Sequence, residues 1–384
     1  NSTEGDQVMN FDFSDDENRL FENVRAIAGG APSEEVLAGQ SAEVLSRTLR
    51  DMLKKLAEAG YLQLGFGKNA KADAVPLMGA MEILAGHARS LFLTVEMSTR
   101  VLGRAIAHWA TDGQKEQWLQ SLLEGAWLGA LALSEDTMNV ENDPLNTQGV
   151  RKDGRVLVSG QKKYVVNGPQ ADRIGVVGML DGRLAIFMID RQAEGLTVSD
   201  RIRTMGYDGL HIAEIVLSDC DLPEADVILP PENALVLDLL RLWENEILLA
   251  AALGLMQASL AEARDFAKSH RTGGKPVIAY QEVGFKLSEM LTLYQTAQLL
   301  AYRAVWTMAT QPKEGASLIW CAKVFGTEAA ERVAGDALRI LSGQGYRSGS
   351  ASESAYRAVK WTQISGISTE IARVKIGDHA LGYR

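Results

Sequence analysis

Cysteine is almost missing from this chain. Cys220 and Cys321 are its only two in 384 residues. That excludes a disulfide framework and a cysteine zinc site, and it suits a reducing, cytoplasmic setting. Positive charge is also short: 39 Lys and Arg against 49 Asp and Glu leave a net charge of -10. Nucleic-acid binding needs a basic face to meet phosphates, so that class is excluded. No apolar run reaches about 18 residues, so no membrane span is expected. His87, His108, His211 and His379 have no partners at metal-ligand spacing and read as structural or surface residues; no metal is expected. Nucleophile elbows and phosphate-binding glycine loops are absent as well.

What is present is a large apolar complement, 46% of residues, enough for a sizeable core. The first eight residues are polar, precede Met9, and are set aside as an arm. From residue 9 to 125 the apolar spacing is helical. Leu20, Phe21, Val24 and Ile27 share a face, with Ser14 as N-cap and Gly60 closing a later helix. Four to six helices are expected there. From 126 to 229 short β-branched runs alternate with Gly, Asp and Asn, which predicts a small β-barrel or sandwich with a hairpin at Asp181-Gly182. From 230 to 384 long helical patterns return and predict a bundle. The fold class is therefore α+β, mostly α: N-terminal helices, a middle β domain, and a C-terminal four-helix bundle.

The tail from Gly343 to Ile371, GQGYRSGSASESAYRAVKWTQISGISTEI, resembles the C-terminal segment of the acyl-CoA dehydrogenases. Gly343, Gly345, Tyr346, Arg357, Gln363 and Ile364 fall in register with that family's pattern. Further stretches resemble it in the same order: GQKEQWLQSLLEGAWLGALALSE, VSGQKKYVVNGPQADRIGVV, RTMGYDGLHIAEIVLSDCDLP and KPVIAYQEVGFKLSEM. The likeness covers nearly the whole chain. It implies a flavoenzyme that binds FAD and desaturates acyl thioesters, removing an α-proton with a carboxylate and the β-hydrogen as hydride.

The family's usual catalytic glutamate falls on Gly366, which cannot act as a base. A minority of the family, including isovaleryl- and long-chain-type enzymes, carries the glutamate on the first long bundle helix. Anchored on Leu253-Gly254-Leu255-Met256, that position is Glu244. Those enzymes also have a small residue where Gly366 stands, so the two departures compensate. A plainer reading makes Glu244 a helix-start carboxylate favoured by the dipole. Glu246 points about 200° around a helix from Glu244 and is the weaker candidate.

The resemblance carries the cofactor contacts to Leu133 and Ser134, then to Tyr164 and Val166, where the family has Trp and a hydroxyl residue. A neighbouring-subunit segment falls on His270, Arg271 and Gln281, with Gly273 in place of an aromatic. The pyrophosphate side falls on Arg339, Ser342 and Gly343, and a terminal hydroxyl on Ser368. Thioester contacts depart further. The family's loop reads Glu135 to Glu141 here, with Val140 at its serine, and its pantetheine-holding aspartate and arginine fall on Leu242 and Asn245. The expected partners are an acyl thioester of CoA or of an acyl carrier protein, the latter meeting a local basic patch such as Lys152 or Lys162-Lys163. An electron acceptor such as an electron-transfer flavoprotein or oxygen is also implied. So is a homodimer or homotetramer. Two other readings stay open: a flavin-poor, non-catalytic subunit of a hetero-oligomer, and a same-fold flavin monooxygenase or thioester lyase.

Overall fold

The computed structural model describes residues 12–136, 145–232 and 234–383. In α1 (Asp15–Gly29) the Ser14 hydroxyl accepts from the Glu17 amide, and the Glu17 carboxylate accepts from the Ser14 amide. This reciprocal pair satisfies donors that a helix start leaves open. After α2 (Glu34–Gly39), α3 (Ala42–Glu58) ends at Ala59, and Gly60 at φ +80° turns the chain away. α4 (Ala74–His87) is buried on every side from Pro76 to Ala85. α5 (Arg89–Glu96), a π-helical segment (Met97–Gly103) and α6 (Arg104–Trp109) run on as one helix, and α7 (Asp112–Leu123) follows.

The sheet comprises β1 (Gly129–Ala132), β2 (Gln148–Lys152), β3 (Arg155–Val166), β4 (Arg173–Leu180), β5 (Arg183–Asp190), β6 (Leu196–Val198), β7 (Ile212–Pro223) and β8 (Val227–Ile228). Its order is β6-β7-β3-β2-β4-β5-β8, with β1 parallel to β4. The sheet encloses its own core, including Val156, Val176, Phe187 and Ile215, separate from the larger core shared with the helices. Asp181 and Gly182, at φ +51° and +77°, make the predicted two-residue turn between Leu180 and Arg183. Asp153-Gly154 does the same between β2 and β3, a hairpin and a strand that the sequence pattern does not isolate. Residues read as two strands, around Val158 and around Val165, form the single strand β3. Gly160 between them is a bulge, not a turn: a Cβ there would come within 2.8 Å of the Thr147 backbone.

The bundle consists of α8 (Val236–Ser269), α9 (Gln281–Thr310), α10 (Pro312–Leu341), α11 (Ala351–Ile364) and α12 (Thr369–Ala380). A short hairpin, β9 (Arg271–Thr272) with β10 (Lys275–Pro276), joins the first two. α10 packs against α8, α9, α11 and α12. By length and composition α8 could cross a membrane, but 72% of its most apolar window is buried inside the fold. Its apolarity is that of a core helix. The layers are pinned by polar contacts. Asn167 after β3 donates to the carbonyls of Thr94 and Gly129 at 2.8 and 3.1 Å. Arg357 on α11 reaches Asp208 in the loop before β7. Glu82 on α4 accepts from Tyr294, Gln298 and Tyr302 on α9.

Candidate active site

A cavity of about 320 Å³ opens where the π-helical segment, the end of β1, the end of β3, α8 and the turn after α11 meet. Met97, Val101, Leu131, Leu240 and Trp361 supply most of its apolar wall. Leu133, Ser134, Tyr164 and Val166 line it too, and so do Glu244 and Gly366. The sequence-derived base and the family's vacant base position therefore face one space, reached from two different elements.

Glu244 lies eight residues into α8, beyond the first turn where the helix dipole acts. The helix-start reading of this carboxylate fails on that placement. Ser365 donates its hydroxyl to Glu244 Oε1 at 2.7 Å. Burial raises the Glu244 pKa above the ordinary carboxylate value, against the lowering effects of the Ser365 hydroxyl, the Lys323 ammonium, the Gly366 N–H and Arg241. A carboxylate whose pKa is raised by desolvation takes up a proton more readily than a free one, which suits a general base. Glu246, in contrast, turns away and pairs with Arg104 at 2.6 Å. It lines a different cavity, with His108 and Trp243.

Gly366 is closed to a glutamate by more than its missing side chain. Its φ is +72°, and a Cβ there would meet the Asn245 side-chain nitrogen at 2.6 Å. Asn245 is fully buried and donates to the Arg241 carbonyl at 2.6 Å. It packs beneath the turn rather than presenting a polar group to a thioester arm. Sequence reasoning assigned no role to three residues here: Ser365, which bonds Glu244, Trp361, which walls the cavity, and Lys323. Lys323 is fully buried on α10 and donates to the Ser365 carbonyl at 2.7 Å and to that of Ile367. A lysine inside the apolar run Trp320–Phe325 was the available signal.

The cofactor candidates divide into two groups. Leu133, Ser134, Tyr164 and Val166 surround the first cavity. Tyr164 stands at φ +54° and is 61% exposed, leaving an aromatic face with a polar tip available. His270, Ser342 and Gly343 line a separate cavity of about 700 Å³, where His270 stacks on Phe266 at 4.6 Å. Ser342 ends α10 at φ +53°, a backbone state natural to glycine. Four candidates line neither cavity. Arg271 folds back on the Gly274 carbonyl, Gln281 is exposed at the start of α9, and Arg339 pairs with Asp336 at 3.2 Å. Ser368 caps α12 by accepting from the Ile371 amide at 3.3 Å. An apolar, aromatic-walled slot with a hydroxyl at its edge suits the planar ring of a flavin, so the first group fits FAD.

The basic patch suggested for a carrier protein does not form at Lys162-Lys163. Lys162 is buried and bonded to Glu135 at 2.6 Å, which in turn accepts from Thr147. Lys163 is held by Glu214 at 2.6 Å and Asp136 at 3.4 Å. Alternation along β3 sends one ammonium inward and leaves the other between two carboxylates. Val140, at the family's CoA-holding serine, lies outside the described residues.

The acyl-CoA dehydrogenase N-terminal, middle and C-terminal domain models match residues 14–126, 130–220 and 243–381. The chain is 28% identical over 356 residues to an acyl-CoA dehydrogenase of Bacillus subtilis, covering 89% of this chain and 93% of that protein. It is 28% identical over 308 residues to isovaleryl-CoA dehydrogenase of Arabidopsis thaliana, covering 78% and 74%. Its fold matches the solved butyryl-CoA dehydrogenase of Megasphaera elsdenii at a TM-score of 0.85 and 24% identity, over 97% of this chain and 100% of that one. Matched in all three of its domains, the chain belongs to the acyl-CoA dehydrogenase family and is an acyl-CoA dehydrogenase-like flavin oxidoreductase with FAD as its cofactor.

Proposed function

We propose that this enzyme α,β-desaturates an acyl thioester and that Glu244 is its base. One observation carries the reading: the Glu244 carboxylate and Gly366 border the same apolar cavity. An acyl group seated against Met97, Val101, Leu240 and Trp361 would expose its α-carbon to Glu244. Ser365 would hold the carboxylate in place as it takes the α-proton. Leu133, Ser134, Tyr164 and Val166 would hold FAD. FAD, when bound, supplies the acceptor for the hydride leaving the β-carbon. His270, Ser342 and Gly343 are exposed and line the separate cavity, which supports a homo-oligomer in which each chain completes a neighbour's cofactor site. The buried, inward-turned Asn245 supports a handle held by fewer contacts than the family gives free CoA. An electron-transfer flavoprotein or oxygen would take up the two electrons.

The test is anaerobic mixing of the purified holoenzyme with a panel of short acyl-CoA and acyl-carrier thioesters, following flavin absorbance near 450 nm. Bleaching by wild type and its loss in Glu244→Gln is the expected result. Equal bleaching by both proteins would refute the base. Turnover that requires reduced flavin and oxygen would instead make this a monooxygenase.

A further inference from the structure

Lys323 has no place in the reaction as written, yet it is fully buried. Its two described hydrogen bonds go to the carbonyls of Ser365 and Ile367, the residues on either side of Gly366. Those carbonyls converge because Gly366 reverses the backbone at φ +72°. The same reversal aims two donors, the Ser365 hydroxyl and the Gly366 N–H, at Glu244. The turn is thus bound on one side by a cation and offers its donors to an anion on the other.

We propose that Lys323 is a positioning residue for Glu244, fixing the 365–367 turn as a two-donor cradle and supplying the buried charge that balances the carboxylate. The charge argument is independent of the turn. Both carbonyls are neutral, so they accept two of the ammonium's three hydrogens without balancing its charge. The anions acting on Lys323 are Glu244 on α8 and Glu370 at the start of α12. Glu370 is exposed to solvent, which leaves Glu244 as the interior counter-charge. Facing Glu244 are Lys323 from α10, Arg241 from its own helix and the Ser365–Gly366 turn. Glu135 and Lys163 line the same cavity, each already paired with other groups. Burial pulls the Lys323 pKa down to about 7, against the opposing pull of Glu244 and Glu370.

This inference rests on the reading of Glu244 as the base, but its test needs no turnover. The holoenzyme is labelled with ¹³C at glutamate carboxyls and lysine side chains, and both groups are titrated by NMR. Glu244 is assigned by the signal lost in Glu244→Gln. In Lys323→Met the Glu244 pKa should rise by about one unit. Lys323→Arg, which keeps the charge and the donors, should bring it back to within about 0.3 unit of wild type. A lysine that merely props the turn would lower the melting temperature and leave the Glu244 titration where it was, and that result overturns the proposal. Should Lys323→Met fail to fold, Glu244→Gln gives the reciprocal reading. Coupling is symmetric, so the Lys323 pKa must fall by the same amount. A Lys323 titration identical in wild type and Glu244→Gln also overturns it. Loss of this coupling would leave the base assignment standing, and normal turnover in Glu244→Gln would leave the coupling standing.

Discussion

Glu82 and Glu244 are both carboxylates set in apolar helices, and burial raises the pKa of each. Their surroundings differ. Glu82 on α4 is 2% exposed and meets Tyr294, Gln298 and Tyr302, three side chains of α9 that take up both its oxygens. Among the described residues Glu244 has one side-chain donor, Ser365, and it borders an open cavity. Desolvation alone therefore does not distinguish a structural acid from the proposed base. The distinction lies in what the carboxylate faces: a closed ring of donors consumes it, whereas a void leaves it a direction in which to act.

The sharpest way to break that comparison is to remove each carboxylate in turn. Glu244→Gln should cost about 10²–10⁴-fold in turnover, the range for a lost general base, with the melting temperature little changed. Restoring a carboxylate at the family's usual place should fail. Glu244→Gln/Gly366→Glu should regain no activity and should lose stability by about 1–3 kcal/mol, since L residues resist φ +72° and Asn245 occupies the path. Recovery of bleaching in that double variant would show that the turn is more pliable than its packing indicates. Glu82→Ala should do the reverse of Glu244→Gln. Chemical denaturation should reveal a loss of about 1–3 kcal/mol from stranded tyrosine and glutamine donors, with turnover near wild type.

The smallest effect concerns pH. As the proposed base, Glu244 must be ionised to accept a proton, so turnover should fall as pH drops through its raised pKa. The acid limb of the kcat/KM profile should lie above the ordinary carboxylate range. Ser365 favours the ionised form, so Ser365→Ala should move that limb higher, by about half a unit. A limb that stays put, or moves down, would place the controlling ionisation elsewhere.

The fold was legible because its signals are local. Helical spacing, the Ser14 cap, Gly60 and the Asp181-Gly182 turn each act within a few residues. Gly160 misled for the opposite reason: whether a glycine ends a strand or bulges it depends on Thr147, which lies elsewhere in the chain. The cavity was legible in Glu244 and in four of the residues that line it, Leu133, Ser134, Tyr164 and Val166. It was not legible in Ser365 and Lys323, whose meaning comes from a turn between α11 and α12 folding onto α8 and α10. Arg339 and Ser368 matched the family's positions, but Asp336 and the start of α12 engage them in this chain. Register transfers a residue's place, while its partners decide its use.

The π-helical stretch at Met97–Gly103 gives this pocket a way to change that side-chain replacement does not offer. It puts Met97 and Val101 on the cavity wall, while Arg104 just beyond it faces the other cavity and pairs with Glu246. A π-helical turn holds more residues than an α-helical one, so deleting one residue there would let the segment close to α-helix while the flanking helices keep their places. Such a deletion would redraw the cavity wall at Met97 and Val101 while leaving Arg104 with Glu246, in a single genetic event. Along this helix, the shape of the proposed acyl wall depends on chain length as much as on side-chain identity.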